Sequence, residues 1–363
     1  MKPVRVLAVD DSAVTRRLLT LALTDDTGST VCGTAPNGQV ALAKVGQLRP
    51  DVVVLDLDMP VLDGLATLAG LRRTHPRLPV IMFSALTERG AAATLDALAG
   101  GANDYVTKPA GLGGADEAVA YIRRELLPKI TALGAPCVIG PAAVVAPPVQ
   151  PPAAMPPLPA DVVAIGVSTG GPNALAALVA GLPADLNVPV VVVQHMPAMF
   201  TRLLAERLDG MTPLRVREAA AGAVLEPGGV WLAPGDHHLV VLRDADAVRL
   251  GTHQEPPVNR CRPAVDVLFD SVAAAYGPRA LGIVLTGMGR DGLAGSRRMR
   301  AAGAQILVQD ETSSVVWGMP RAVAEAGLAD RVLPLDGMAA EIARRAARPR
   351  PASVSRPPAH PAA

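Results

Sequence analysis

Residues 161–179 read DVVAIGVSTGGPNALAALV: an apolar, β-branched run, then a glycine-rich turn, then a run rich in alanine and leucine. This order predicts a buried strand that turns into a helix, and Pro172 suits the first turn of that helix. Functional groups in parallel α/β sheets collect at the carboxyl ends of the strands. We therefore expect Ser168, which lies in the turn, to be held out at the edge of a sheet.

Strand-like runs recur on both sides of this stretch and alternate with longer amphipathic patterns, as in βαβ units with a parallel sheet. They are VRVLAVD (4–10), DVVVLDLDM (51–59), LPVIMFSA (78–85), VPVVVVQH (188–195), LGIVLTGMG (281–289) and AQILVQD (304–310). Two separate series of this kind predict two α/β domains in a chain of 363 residues.

Composition changes between the two series and again at the end of the chain. Residues 134–160 are dense in proline and alanine and nearly free of charge, which is typical of a semi-stiff, extended linker. The last residues are basic and rich in proline without apolar periodicity, and we expect them to be disordered. The predicted units are domains at 1–125 and 161–345, a linker at 126–160 and a tail at 346–363.

Charge and cysteine content exclude several classes of protein. Lys and Arg number 34 and Asp and Glu number 33, so the net charge of +1 gives no general attraction to nucleic acid or to an anionic membrane. Cys32, Cys137 and Cys261 are far apart and odd in number, which argues against a disulfide framework or a zinc knuckle. Because Asp10 and Asp11 break the N-terminal apolar run, we expect no signal peptide or membrane anchor, and a cytoplasmic protein.

Three strand ends in the first domain carry charged residues. Asp10 and Asp11 follow the first strand, Asp56 ends the run DVVVLD, and Lys108 follows DYVT. Carboxylates brought together in this way repel each other and need a divalent cation, and hard oxygen ligands favour Mg²⁺. The free carboxylate oxygen of Asp56 is then a candidate phosphoryl acceptor. Phosphorylation would add a charge of roughly −1.5 to −2, which the ammonium group of Lys108 would partly neutralise. Acids that merely cap loops at the sheet edge are the alternative.

The motifs DDS, VVLDLDMPVLDG, FSA and YVTKP, in this order, resemble the response-regulator receiver domain over residues 4 to about 125. The resemblance implies a flavodoxin-like (βα)5 fold with Asp56 as the phosphorylated residue. It implies Mg²⁺ held by Asp10, Asp11, Asp56 and the backbone carbonyl of Asp58. It also implies Ser84, Tyr105 and Lys108 as switch and phosphate contacts.

The second domain presents a serine, a histidine and an aspartate that could form a nucleophilic site. Ser168 needs a base to attack a carbonyl, and the candidates in chain order are His195, at the end of VPVVVVQH, and Asp291, in GMGRDG. This order differs from the Ser, acid, His order of ordinary α/β-hydrolases. A phosphate-binding loop is a rival interpretation of GVSTGG, but the lysine of a Walker loop is absent. His195 in isolation could also be a structural histidine.

Five segments together resemble the catalytic domain of the chemotaxis protein-glutamate methylesterases: IGVSTGGPNAL, VVVQHM, WLAPGDHHL, PPVNRCRPAVDVLF and LTGMGRDG. The resemblance spans 161 to about 340 and implies a parallel-sheet α/β methylesterase domain with the triad Ser168, His195 and Asp291. The backbone of Met288 is an implied oxyanion donor. The implied reactions are hydrolysis of glutamate γ-methyl esters and deamidation of some glutamines on the cytoplasmic domains of methyl-accepting chemoreceptors, through an acyl-enzyme and without a cofactor.

A charge switch beside an esterase suggests that the unmodified receiver covers the triad and that phosphorylation of Asp56, by a chemotaxis histidine kinase, loosens that contact. We expect a monomer without direct membrane insertion. A phosphorylation-dependent binding module with a silent hydrolase half is a second hypothesis, which the complete triad weakens. A DNA-binding regulator is disfavoured because the sequence shows no basic recognition helix.

Three further features of the second domain have less specific interpretations. Residues 236–238 (DHH) look like a metal cluster, but neighbours on a strand point to opposite faces, so a turn is favoured. For Cys261 we expect a packing or loop role. Arg260 and Arg262 are hypothesised to line a surface that meets acidic substrate helices.

Overall fold

Two parallel sheets organise the chain, which a computed structural model describes over residues 2–24, 27–109, 114–134, 158–245 and 247–346. The first five strands are β1 (Val4–Val9), β2 (Ser29–Ala35), β3 (Val52–Leu55), β4 (Val80–Ser84) and β5 (Asp104–Thr107). They form one parallel sheet in the order β2-β1-β3-β4-β5. This is the strand order of flavodoxin-like folds and confirms the fold predicted for the first domain.

The helices that the described residues form beside this sheet are α1 (Ala13–Ala22), α2 (Gly38–Leu48), α3 (Gly64–Thr74), α4 (Glu88–Ala99), α5 (Ala115–Glu125) and α6 (Leu127–Gly134). The side chains of Ser12, Asn37, Asp63 and Thr87 cap the first four helices by accepting a hydrogen bond from a backbone N–H of the first turn. Such caps are each worth about 1 kcal/mol and explain where these helices begin.

Helix α6 occupies the first part of the segment predicted as a linker at 126–160. Ile130 is fully buried in the cluster that contains Val4 and Ile122, so α6 completes the core of the first domain. The apolar residues of this helix pack on β1 and β3 of the first sheet. The change in composition at 134–160 gave no sign of this packing. The first domain therefore extends to residue 134, while 135–157 and the predicted tail from 347 lie outside the described residues.

The second domain has its own sheet of seven parallel strands and a separate hairpin. Its strands are β6 (Val162–Val167), β7 (Val190–Gln194), β8 (Arg215–Glu218), β9 (Gly229–Leu232), β10 (His238–Arg243), β11 (Val248–His253), β12 (Ala280–Val284), β13 (Gln305–Gln309) and β14 (Arg331–Leu333). The sheet order is β14-β13-β12-β6-β7-β9-β8, and β10 pairs with β11 in an antiparallel hairpin. Every residue of the central strand β6 is buried, which explains its continuous apolar sequence.

The helices of the second domain are α7 (Gly171–Gly181), α8 (Ala198–Asp209), α9 (Val265–Tyr276), α10 (Leu293–Ala301), α11 (Met319–Glu325) and α12 (Leu335–Ala346). Because β12, β6 and β7 are adjacent and parallel, the loops that follow them meet at one edge of the sheet. Within the ranges described above, no helix is long and apolar enough to cross a membrane.

The two domains pack against each other through helix α4 and strand β5 of the first and helices α7 and α8 of the second. The ring of Tyr105 stacks on that of Phe200 with 4.5 Å between centroids. The side-chain amide of Asn173 donates to the carbonyl of Leu98 at 2.7 Å. Two exposed ion pairs lie at the rim, Arg202 with Glu88 and Arg207 with Asp96. The first domain is thus seated beside the turn that carries Ser168.

Candidate active site

Ser168 lies in the turn between β6 and α7, at the carboxyl end of the second sheet. Its N–H donates to the carbonyl of Thr286 at 3.0 Å, and its own carbonyl accepts from the N–H of Gly171 at 2.7 Å. A β-carbon on Gly171 would lie 1.9 Å from Oε1 of Gln194, so a larger residue does not fit there. The Ser168 backbone is therefore fixed, while the residue stays partly exposed.

His195 follows β7, the strand beside β6, and its ring contacts Asp291. Nε2 of His195 lies 2.8 Å from Oδ2 of Asp291, and because a carboxylate only accepts, Nε2 carries the proton. Asp291 is 3% exposed, and its oxygens also accept from three backbone N–H groups and from the amide of Asn259. Burial alone would raise the pKa of Asp291, but these hydrogen bonds, that of His195 foremost, hold it below its usual value. Asp291 is therefore a fixed, ionised carboxylate that orients the imidazole.

The second ring nitrogen of His195, Nδ1, faces Cys261, whose Sγ is 3.6 Å away. The hydrogen bonds of the described residues include none between the Ser168 hydroxyl and His195. Burial would lower the pKa of His195, but the hydrogen bonds with Asp291 and Cys261 raise it to about 10. This arrangement therefore favours the imidazolium form, and His195 has to release the Nδ1 proton and approach Ser168 before it can act as a base.

Cys261 and Asn259 belong to one tight turn that the sequence did not assign to the site. The N–H of Cys261 donates to the carbonyl of Val258 at 2.8 Å, and the reverse bond measures 3.1 Å. Asn259 and Arg260, between them, have left-handed φ values of 52° and 65°. Asn is common at such a position, whereas for Arg it costs roughly 1–2 kcal/mol. Cys261 thus lies in a loop, one of the two roles expected for it, and its sulfur also contacts the imidazole of His195.

Met288, expected to supply an oxyanion donor, lies beside Ser168. Its backbone N–H donates to no acceptor among the residues that the structure describes. A β-carbon on the preceding Gly287 would lie 2.9 Å from Cβ of Ser168, so the peptide between Gly287 and Met288 runs close to the serine. A free N–H near a nucleophile is what stabilisation of a developing oxyanion requires.

A second cluster of charged groups lies at the carboxyl end of the first sheet. Nζ of Lys108 is 2.8 Å from Oδ2 of Asp10 and 2.7 Å from Oδ2 of Asp56. Burial raises the pKa of Asp56 to about 6, although the Lys108 ammonium opposes this shift. Burial would lower the pKa of Lys108, but its close contacts with the two carboxylates raise it. The cluster therefore holds two buried carboxyl groups around one cation.

The same acidic side chains fit a hard divalent cation. Carboxylate oxygens of Asp10, Asp11 and Asp56 all lie within 4.8 Å of one another. Oδ2 of Asp10 is buried and, despite the nearby ammonium of Lys108, accepts no well-aligned hydrogen bond in the described structure. Asp11 and Asp58 are exposed in the adjoining loops, which leaves one side open to water. Such an oxygen-rich, open set suits Mg²⁺.

The expected switch residues Ser84 and Tyr105 are both buried, and they contact different neighbours. The hydroxyl of Ser84 is hydrogen-bonded to that of Thr94 on α4 at 2.8 Å. The ring of Tyr105 is held by Phe200 of the second domain, and burial raises the pKa of its phenol well above the usual value. Tyr105 therefore belongs to the domain interface, whereas Ser84 connects β4 to the helix that forms much of that interface.

A buried hydrogen bond joins the two domains one residue away from the candidate nucleophile. The hydroxyl of Thr169, which follows Ser168, donates to Oδ2 of Asp104 at 2.7 Å. The same oxygen of Asp104 accepts from Nζ of Lys129 on α6 at 2.7 Å. Sequence patterns gave no indication of this link, because it joins residues 65 positions apart across two domains.

Asp236 and His237 lie in a turn that precedes β10, as the sequence favoured, and His238 is the first residue of that strand. The three side chains have different partners. Asp236 pairs with Arg262, and the buried ring of His238 accepts from the N–H of Ala264 through Nδ1. Nδ1 of His237 lies 3.3 Å from the backbone carbonyl of Gly235, two residues earlier in the chain. The segment therefore holds no metal cluster in the described structure, and Arg262 is already engaged by a carboxylate.

Comparisons with known proteins account for both domains. The family described as CheB methylesterase matches residues 163–342, and that described as response regulator receiver domain matches residues 6–120. A Trichodesmium erythraeum protein named protein-glutamate methylesterase/protein-glutamine glutaminase is 50% identical over 350 residues, which are 95% of this chain and 99% of that protein. The chain belongs to the CheB methylesterase family.

Other members of the CheB family give the same result. A Nocardioides protein with the same name is 52% identical over 367 residues, covering 98% of each chain. The crystal structure of the Thermotoga maritima CheB methylesterase catalytic domain aligns with a TM-score of 0.50 at 39% identity, covering 51% of this chain and 98% of that domain. The predicted architecture, a receiver followed by a methylesterase domain, is confirmed.

Proposed function

We propose that this protein is a cytoplasmic protein-glutamate methylesterase and protein-glutamine glutaminase that acts on methyl-accepting chemoreceptors during chemotactic adaptation. The observation that supports this proposal most directly is the hydrogen-bonded pair of His195 and Asp291, which lies at the same sheet edge as Ser168. Relatives that match nearly the whole chain bear both activities in their names. Ser168, His195 and Asp291 are the proposed catalytic triad.

Ser168 is the proposed nucleophile on the γ-carbonyl of a methylated glutamate. Nδ1 of His195 takes the hydroxyl proton, since Nε2 is committed to Asp291, and returns a proton to the leaving methoxide, which departs as methanol. General acid–base help of this kind is worth about 10²–10⁴-fold in rate. Water then attacks the glutamyl ester on Ser168 and frees glutamate. A glutamine side chain passes through the same acyl-enzyme and releases ammonia.

The negative charge that develops on the carbonyl oxygen needs fixed donors. The backbone N–H of Met288 is the proposed donor, since it has no acceptor among the described residues and lies beside Ser168. Loss of one such donor typically costs about 2.7–4 kcal/mol of transition-state stabilisation. These groups carry the whole esterase reaction, for which we propose no cofactor.

Asp56 is the proposed phosphoryl acceptor, with a chemotaxis histidine kinase as the donor. Asp10, Asp11, Asp56 and the carbonyl of Asp58 would hold Mg²⁺, which would neutralise charge during phosphoryl transfer. Lys108 already contacts Asp10 and Asp56. It would stay with the phosphoryl group, because that group adds a charge of roughly −1.5 to −2.

The unphosphorylated receiver is proposed to restrain the esterase through the contacts of α4 and β5. The bond between Thr169 and Asp104 fixes the residue after the nucleophile, and Nδ1 of His195 contacts Cys261 instead of the Ser168 hydroxyl. A phosphoryl group on Asp56 would attract the Ser84 hydroxyl. The hydrogen bond between Ser84 and Thr94 would then break, and α4 would shift. That shift would loosen the receiver from the second domain and release the Ser168 turn.

The direct test is methanol release from methylated receptor membranes, measured with and without a small-molecule phosphodonor. Wild type should release methanol slowly alone and faster with the phosphodonor, whereas Ser168→Ala should release none above background in either condition. Ser314→Ala, a loop serine whose hydroxyl bonds the carbonyl of Asp310, serves as the control and should match wild type. Methanol release at the wild-type rate by Ser168→Ala would overturn the proposal.

A further inference from the structure

Cys261 and His195 bring two metal-ligating atoms together beside the Ser168 turn. Sγ of Cys261 lies 3.6 Å from Nδ1 of His195. Zinc binds sulfur at about 2.3 Å and imidazole nitrogen at about 2.0–2.1 Å, and at a tetrahedral angle these bonds separate the two ligand atoms by about 3.6 Å. The observed separation, which here belongs to a hydrogen bond, also matches that of two ligands on one zinc ion.

Asp291 completes the arrangement without being a ligand itself. Histidines that bind metals commonly donate their other ring N–H to a carboxylate, which fixes the ring and raises the basicity of the ligand nitrogen. Nε2 of His195 makes this bond to Asp291 at 2.8 Å. The oxygens of Asp291 also accept four hydrogen bonds from backbone and Asn259 donors, so the carboxylate has little capacity left for a metal.

We infer that His195 and Cys261 form a chelating site for Zn²⁺ or a similarly thiophilic divalent cation, and that occupancy of this site inhibits the esterase. On binding, the Cys261 thiol and the Nδ1–H of the His195 imidazolium each release a proton to solvent, and the thiolate and the freed Nδ1 lone pair coordinate the ion. Both residues are partly exposed, so water can fill the remaining positions. The Nε2–H bond to Asp291 is kept.

Inhibition follows from the chemistry of Nδ1 and rests on the proposed function. A lone pair that coordinates a metal cannot accept the Ser168 proton, and Nε2 is held by Asp291, so a zinc-bound His195 has no nitrogen left to serve as the base. The site is distinct from the receiver cluster in its ligands. That cluster offers only carboxylate oxygens, which suit Mg²⁺, whereas thiolate favours zinc and excludes magnesium.

Binding can be tested without activity by using Co²⁺ as a spectroscopic substitute for zinc. The full-length Cys32→Ala/Cys137→Ala protein, which keeps Cys261 as its sole cysteine, should bind cobalt with a thiolate-to-metal charge-transfer band in the near ultraviolet. Adding Cys261→Ala should remove the band, and Zn²⁺ should displace the cobalt. A missing band in the first protein, or a band that persists without Cys261, would overturn the site.

Inhibition is tested by measuring methanol release at several buffered concentrations of free Zn²⁺, with excess Mg²⁺ present. The rate of each protein is compared with the rate of the same protein without zinc. Half-inhibition should require about 100-fold more zinc once Cys261→Ala is added, since even loss of a residue behind a metal ligand weakens binding 10- to 100-fold. Equal zinc sensitivity with and without Cys261 would refute the inhibition. If no protein releases methanol even without zinc, the proposed function fails, and the cobalt band still decides whether the site exists.

Discussion

Replacing Asp104 tests whether the receiver restrains the esterase, and it changes no residue of the esterase domain itself. Asp104→Ala removes the acceptor of the buried Thr169 hydrogen bond. Lys129, the other partner, keeps its bond to the carbonyl of Tyr105 at 3.0 Å and is 21% exposed, so it can turn to water. The substitution therefore weakens the domain contact without leaving a buried, unpaired charge.

The magnitude follows from the kind of bond that is lost. A hydrogen bond to a charged group contributes about 1.5–3 kcal/mol net, and each 1.4 kcal/mol is a factor of ten. The equilibrium between restrained and released domains should shift about 10- to 150-fold toward release. The basal rate of Asp104→Ala should rise by up to that factor, and the phosphodonor should add correspondingly less.

The assay is methanol release by the unphosphorylated, full-length protein. Arg124→Ala, which removes an exposed pair with Glu125 on α5, is the matched receiver control and should keep the wild-type basal rate. An Asp104→Ala protein that folds normally and yet keeps the wild-type basal rate and the full response to the phosphodonor would refute the restraint.

Three further outcomes are expected. Asp56→Asn should lose the response to a phosphodonor and keep its basal methanol release; a remaining response would place the phosphoryl group elsewhere. Asp291→Asn should lower kcat by roughly 10⁴-fold, as in other triads, because an amide N–H facing Nε2 of His195 favours the tautomer whose Nδ1 already carries a proton; circular dichroism would check the fold. Hydrogen bonds from Arg344 and Arg345 lower the pKa of Glu341 from 4.5 to about 2. Because the folded pKa is depressed, ionised Glu341 stabilises the fold fully above pH 4.5, the pKa of the unfolded state, and this stabilisation is lost as the pH falls through 2. Glu341→Gln should therefore lower the free energy of unfolding by up to about 3 kcal/mol at pH 7 and hardly at pH 2. Urea titrations at both pH values would measure this, and an equal loss at both would contradict it.

Features that follow from local patterns and from the topology of a parallel sheet were predictable from the sequence. The strand-turn-helix pattern at 161–179 places Ser168 at a sheet edge because strand period, glycines and Pro172 all act within a few residues. The acids Asp10 and Asp56 meet because they follow neighbouring parallel strands of one sheet. In parallel sheets, residues that follow adjacent strands meet at the same edge whatever their separation in sequence.

Contacts that neither a local pattern nor the order of parallel strands determines were not predictable. Helix α6 belongs to the first domain because Ile130 fits the gap beside β1 and β3, and composition carries no record of that gap. The contact of Cys261 with His195 depends on a turn in which Arg260 takes a left-handed conformation, which sequence preferences oppose. The bond between Thr169 and Asp104 arises only when two domains dock.

Labelling with a fluorophosphonate probe, followed by peptide mapping, tests the central claim most directly, because the probe reacts only with a serine that a nearby base activates. We expect one adduct, on Ser168, which forms faster after phosphodonor treatment and is absent from His195→Ala. An adduct on any other residue, or an unlabelled Ser168 in a protein that still releases methanol, would contradict it.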